Sequence, residues 1–208
     1  MKRPDLDTLA CVNPECQQFR LAGQDNLTVR KVYGQDRIRL LRCRTCGEEF
    51  SEWRGTALFN TKVAEERAEF LINHVDEGCG VRATARLVHV AKDPVARWLR
   101  RAGRHAEWFH DQRVRDVTPR AARHNGTSRL RNQRKVRKTL AFSKVPWYHR
   151  WMSWLSVGLD SFCRGHSRLK STQGAHVQHR SPAMAAKFTD HIGTVREWLL
   201  CPVLGEQG

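Results

Sequence analysis

The chain has 208 residues, with 37 Lys and Arg against 21 Asp and Glu, for a formal net charge of +16. Its apolar share of 40% and mean hydropathy of −0.62 point away from one large core. Two or three small modules fit instead, and below about 40 residues such modules lean on a metal or on disulfides. The charge, with a pI near 10.4, points to a polyanionic partner, nucleic acid first among those inside a cell.

From the N-terminus, Met1-Lys-Arg-Pro-Asp5 has no hydrophobic stretch behind its charges, so no secretory signal is expected. No run anywhere approaches the roughly 20 apolar residues of a membrane helix, so no membrane partner is expected either. Seven cysteines, an odd number, then argue against a disulfide framework and for a reducing cytoplasm. Four of them fall in two close pairs, Cys11-Val-Asn-Pro-Glu-Cys16 and Cys43-Arg-Thr-Cys46-Gly47, with 26 residues between. Zinc takes four ligands at tetrahedral angles with thiolates about 2.3 Å away. A C-x-x-C turn sets two sulfurs on one side of such a metal, and Gly47 relieves the tight backbone. Leu27–Tyr33 and Arg37–Arg42 alternate apolar with polar residues across Gly34-Gln35-Asp36, which predicts a hairpin, and Phe50 continues a strand. Cys11, Cys16, Cys43 and Cys46 are thus expected to hold a structural Zn²⁺. Four thiolates leave no open position for a substrate water.

The helical stretch comes next. Apolar residues at 63, 64, 68, 70, 71, 72 and 75 predict a helix from Val63 to Val75 that stops at Gly78-Cys79-Gly80. Val81–Leu87 forms a short helix, Val88-His89-Val90 a turn, and Asp93 is expected to cap the next helix with Pro94 at its first position. There Val95, Trp98, Leu99 and Ala102 make the buried stripe of a helix-turn-helix. Arg97, Arg100, Arg101 and Arg104 are left outward for phosphates and base edges. Cys79, with no partner nearby, is expected to be a packed thiol.

The acids then run out. Residues 1–116 hold seventeen of the 21 Asp and Glu, and the last 92 residues hold Asp160, Asp190, Glu197 and Glu206. Such asymmetry marks distinct modules. Arg123–Lys144 is strongly basic, while Trp147, Tyr148, Trp151, Trp154, Leu155 and Phe162 are expected to form a small helical core. No β-rich run is expected after residue 117. Asp160 is expected on a solvated helix face and Asp190 at a turn or cap.

The order of these motifs resembles transposases of the Insertion Sequence One type. The first block carrying the resemblance is Cys11-Val-Asn-Pro-Glu-Cys16, Arg42-Cys-Arg-Thr-Cys-Gly47, Phe50-Ser51, Gly55–Asn60, Gly78–Val88, Asp93–Trp98 and Ala102-Gly103. The second is Arg123–Arg129, Arg137–Lys144, Phe162-Cys-Arg164 with His166, Pro182–Ala186 and Thr189–Ile192. The resemblance implies a zinc ribbon and helix-turn-helix that bind terminal inverted repeats of double-stranded DNA. It also implies an RNase-H-like domain that cuts and joins strands with three carboxylates and two divalent metals. The two blocks meet near Arg120–Ala122, where the family carries most of its catalytic sheet and its first two Asp. Its third carboxylate falls on Ala122. No catalytic residue carries over. The physical argument agrees, since two Mg²⁺ about 3.5–4 Å apart need clustered carboxylates and Val117–Leu159 contains no Asp or Glu.

The expected fold class is therefore a zinc-ribbon β-hairpin domain (8–55), an all-α helix-turn-helix (60–105), a connecting helix (106–120) and a helical C-terminal remnant of an RNase-H-like domain (121–200). The expected DNA contacts are Arg82, Lys92, Arg97, Arg100, Arg101 and Arg104, then Arg129, Arg131, Arg134, Lys135, Arg137 and Lys138. The expected function is zinc-dependent recognition of insertion-element ends without transposition, in a bacterial cytoplasm and on the nucleoid when DNA is bound. Short products of the family repress their own element, so a regulatory role is open, and a homo-oligomer is compatible with the sequence. Two rival readings are an active transposase, for which alone Mg²⁺ would enter, and a non-enzymatic zinc-ribbon transcription regulator.

Overall fold

A computed structural model of the protein describes residues 5–61, 63–114, 146–173 and 176–203. After a 3-10 turn at Leu6–Thr8, strands β1 (Leu27–Tyr33), β2 (Ile38–Cys43) and β3 (Glu49–Ser51) form an antiparallel sheet in chain order. The turn lies at residues 34–37, and a register shift between Val29 and Lys31 bulges β1 at Arg30. The core of this sheet is small: Leu9, Cys11, Cys16, Leu27, Leu41, Cys43 and Phe50. Three of its members are thiols.

Glu52 stands where the sheet gives way to helices. Buried, it accepts from the Arg39 amide at 2.6 Å and from Arg39 Nε at 2.5 Å. The chain then enters a helical body with α1 (Glu65–Asp76), α2 (Val81–Leu87), α3 (Lys92–Arg113) and α4 (Pro146–Phe162). Short α5 (Pro182–Ala185) and α6 (Val195–Leu200) close it. One core serves them all: Leu71 and Ile72 of α1, Val95, Trp98, Leu99 and Ala106 of α3, Leu155 and Leu159 of α4, and Trp198 and Leu199 of α6. The C-terminal stretch is tied back by two backbone bonds, from the Ala57 amide to Leu199 O (3.1 Å) and from the Val203 amide to Gly55 O (2.8 Å).

Several expectations need correction. The connecting helix placed at 106–120 is, as far as Arg113, the last eight residues of an unbroken α3 of 22. Asp93 does not cap that helix. Ala91 occupies the N-cap with no side-chain bond, leaving Asp93 and Pro94 as its second and third residues. Asp93 still suits the first turn, where amide dipoles favour an anion. The C-terminal portion is not all helical, because β4 (His166–Gln173) pairs antiparallel with β5 (His176–Arg180). That ladder is made by backbone groups in a stretch with few apolar side chains, so it left no hydrophobic alternation to read. Asp160 is not solvated: it is buried, with Arg164 Nη1 3.6 Å away. The same guanidinium pairs with buried Asp76, so one arginine locks α1 to α4. Asp190 does lie in an exposed turn, bonded to His191 Nδ1 at 2.6 Å.

Candidate metal centre and nucleic-acid interface

The two cysteine pairs converge. The 11–16 loop is turned by Asn13, whose side chain accepts from the Glu15 amide (3.0 Å) and whose carbonyl accepts from the Cys16 amide (3.1 Å). The 43–46 knuckle is closed by the Gly47 amide on Cys43 O (2.9 Å), with Gly47 at φ 77°, a left-handed conformation a Cβ would penalise. Cys11 Sγ lies 3.6 Å from Cys46 Sγ and Cys16 Sγ lies 3.9 Å from Cys43 Sγ. All four sulfurs fall within 4.8 Å of one another. Thiolates 2.3 Å from a tetrahedral centre would sit about 3.8 Å apart. The four cysteines are therefore spaced to hold one metal ion, and their donor set and geometry fit zinc.

The surroundings prepare these sulfurs. The Gln18 amide donates to Cys16 Sγ and Asn26 Nδ2 donates to Cys43 Sγ, each at 3.4 Å. Burial would raise the Cys43 thiol, but the amides of Cys46 and Thr45, with the Cys11 and Cys46 thiols, bring it down to about 6. Burial pushes Cys11 up instead. Groups of one charge type sharing a site titrate apart in this way, one anion forming before the rest. Asn26 orients a ligand sulfur from outside the ligand set, and nothing in its sequence context announces that. Cys79 is half-buried, as are Cys163 and Cys201.

The arginines of α3 are all exposed, and Arg82 of α2 and Lys92 at the head of α3 are exposed too. Their settings differ. Arg100 stacks over the rings of Trp147 (4.5 Å) and Trp151 (5.3 Å), and Arg104 over Trp151 (5.4 Å). Arg101 Nη1 donates to Phe59 O. The sequence left these side chains outward, but α4 lies along one flank of α3 and engages two of them. Trp147 itself remains 44% exposed. The turn between α2 and α3 ends with the Val90 amide on Ala85 O (3.0 Å), and His89 takes φ 54°, a bond pattern that ends helices tightly. The expected contacts Arg129, Arg131, Arg134, Lys135, Arg137 and Lys138, and the Ala122 position, lie outside the described residues.

No described helix is long and apolar enough to cross a membrane. Comparison with protein-family models, with curated proteins and with solved structures yields no match for this chain.

Proposed function

We propose that the chain is a zinc-dependent DNA-binding protein of the Insertion Sequence One transposase type, directed at the ends of an insertion element and unable to join strands. The observation that carries this reading is a tightly turned helix pair, α2 and α3, with a buried stripe on one side of α3 and exposed arginines on the other. Val95, Trp98, Leu99 and Ala102 are buried, while Arg97 and Arg101 are exposed. A recognition helix needs that division, because the apolar face fixes its angle and the cationic face meets phosphates and base edges. The four-cysteine centre supports a structural zinc, since so small a sheet core needs a metal to hold its shape. Loss of strand transfer is supported by chemistry. Asp160 and Asp76 close on the Arg164 guanidinium and Asp190 on His191, so side-chain cations of the protein take the place that two metals would need beside these carboxylates.

Binding of the zinc-loaded full chain to a duplex carrying the terminal inverted repeats tests this. Log K should fall linearly with log salt, by roughly 0.9 per phosphate neutralised. Arg97→Ala or Arg101→Ala should weaken specific binding on the order of 10-fold, within the range of a base or phosphate contact, while Lys2→Ala and Arg3→Ala change it little. Four equal effects would reject the recognition-helix assignment. With Mg²⁺ and a supercoiled plasmid bearing the same ends, no nicks are expected; protein-dependent cleavage there would establish an active transposase.

A further inference from the structure

A cavity of about 550 Å³ lies between α1 and α3, and three guanidinium side chains line it: Arg67 from α1 with Arg97 and Arg101 from α3. No Asp or Glu stands among its lining residues. Arg67 and Arg97 are exposed and have no ion pair among the described residues. Arg101 is steadied by its bond to Phe59 O, which leaves its other N–H groups to turn toward a ligand. Beside these cations the wall is apolar, with Val90, Pro94 and Trp98. The Trp98 indole Nε1 is buried and has no hydrogen-bond partner among the described residues. Three unopposed guanidiniums call for an anion, and the apolar wall beside them calls for one that carries a carbon frame.

We propose that this cleft seats one phosphate of a bound DNA strand together with its adjoining deoxyribose. Arg67 and Arg97 hold the phosphate oxygens as guanidinium forks do, Arg101 adds charge from the rim, and Val90 and Pro94 pack against the sugar. The seat rests on the DNA-binding reading and adds to it a residue outside the recognition helix. Arg67 stands on α1, where the helical pattern of the sequence gives it no role. A phosphate contact sets where the protein sits on the duplex without reading bases, so its signature differs from that of a base contact.

Arg67→Ala in the zinc-loaded full chain should lower affinity about 3- to 10-fold, equally for the inverted-repeat duplex and an unrelated one. It should also reduce the slope of log K against log salt by roughly 0.9, one phosphate's share. Arg67→Lys should restore the slope. Arg67 is exposed, so the variants are expected to fold, and an unchanged circular dichroism spectrum checks this. If Arg67→Ala and Arg67→Glu leave affinity and slope unchanged while Arg97→Ala weakens binding, the seat is wrong and the DNA reading stands. If the unaltered chain binds neither duplex, both fall together. Calorimetry with inorganic phosphate and with deoxyribose 5-phosphate separates the other source. Micromolar, Arg67-dependent binding of either, with duplex affinity indifferent to Arg67, would assign the cleft to a free phosphate and overturn the proposal.

Discussion

His105 is one of the few polar side chains the helical core accepts, at 2% exposure. Its Nε2 lies 3.3 Å from Trp198 O, and the two rings meet edge to face at 5.7 Å. Burial lowers its pKa from 6.5 to about 4, against the smaller opposing pull of the Trp198 and Gly55 carbonyls. The fold therefore holds the neutral ring, with the Nε2–H donated to Trp198. As pH falls, the unfolded chain takes up the proton first, so the stability is full above about 6.5 and declines toward pH 4. At 1.36 kcal/mol per unit the whole effect is on the order of 3 kcal/mol. Urea unfolding of the chain and of His105→Leu, at pH 7.5 and pH 5, should show the steeper loss in the unaltered protein. Equal pH dependence in both would place the acid sensitivity elsewhere. At this scale the sequence disclosed unequal amounts. The ligand cysteines were legible because C-x-x-C spacing is dictated by metal geometry. Asn26 and His105 were not, because each acts through a neighbour distant in the chain.

Between elements, the packing of α3 on α4 sets the shape of the helical body. A Cβ on Gly103 would come within 2.3 Å of Trp151 Cβ and 2.9 Å of Trp151 Cα. The two helix backbones touch there, and only a residue without a side chain allows it. Gly103→Ala would normally gain helix propensity, but here the clash falls on backbone and a ring-bearing carbon that cannot simply rotate away. Destabilisation of about 1–3 kcal/mol is expected, with loss of the Arg100 and Arg104 stacking on α4. Thermal unfolding followed at 222 nm checks it, and a Tm equal to or above that of the unaltered chain would contradict the close approach. The helices that were legible carry a 3.6-residue apolar stripe, and α2 runs from Val81 to Leu87 as its pattern required. The extent of α3 was not, because Ala106 and Phe109 extend a stripe whose partner α4 lies far along the chain. The hairpin of β4 and β5 was missed for the opposite reason, having Leu169 and Val177 as its only aliphatic side chains.

Across the whole molecule the two cores have different dependencies. The helical core unites Trp53, Leu58 and the buried faces of α1, α3, α4 and α6 without a metal. The sheet core has seven members, and Cys11, Cys16 and Cys43 are among them. Strip the metal, and three buried thiols, one depressed toward pKa 6, remain side by side with no cation between them. So small a core does not offset the chain entropy of its loops, since backbone ordering alone costs about 1–2 kcal/mol per residue. A chelator should therefore release one zinc per chain and unfold the region around residues 5–50, because metal binding and folding are the same event in such modules. The helical body should remain, held by its own apolar core. Ile38 of β2 packs against the helical core, and the buried Arg39–Glu52 pair braces the end of the sheet next to it. Circular dichroism at 222 nm should change little on chelation, while protease cuts appear between Leu6 and Phe50 and not within α3 or α4. Elemental analysis finding no zinc in freshly purified protein would remove the premise. Simultaneous loss of the 222 nm signal would show that the helical body needs the metal as well. Restoring zinc should return the protection of both cysteine loops together, because Cys11 pairs with Cys46 and Cys16 with Cys43 across the centre, so neither loop can close without the other.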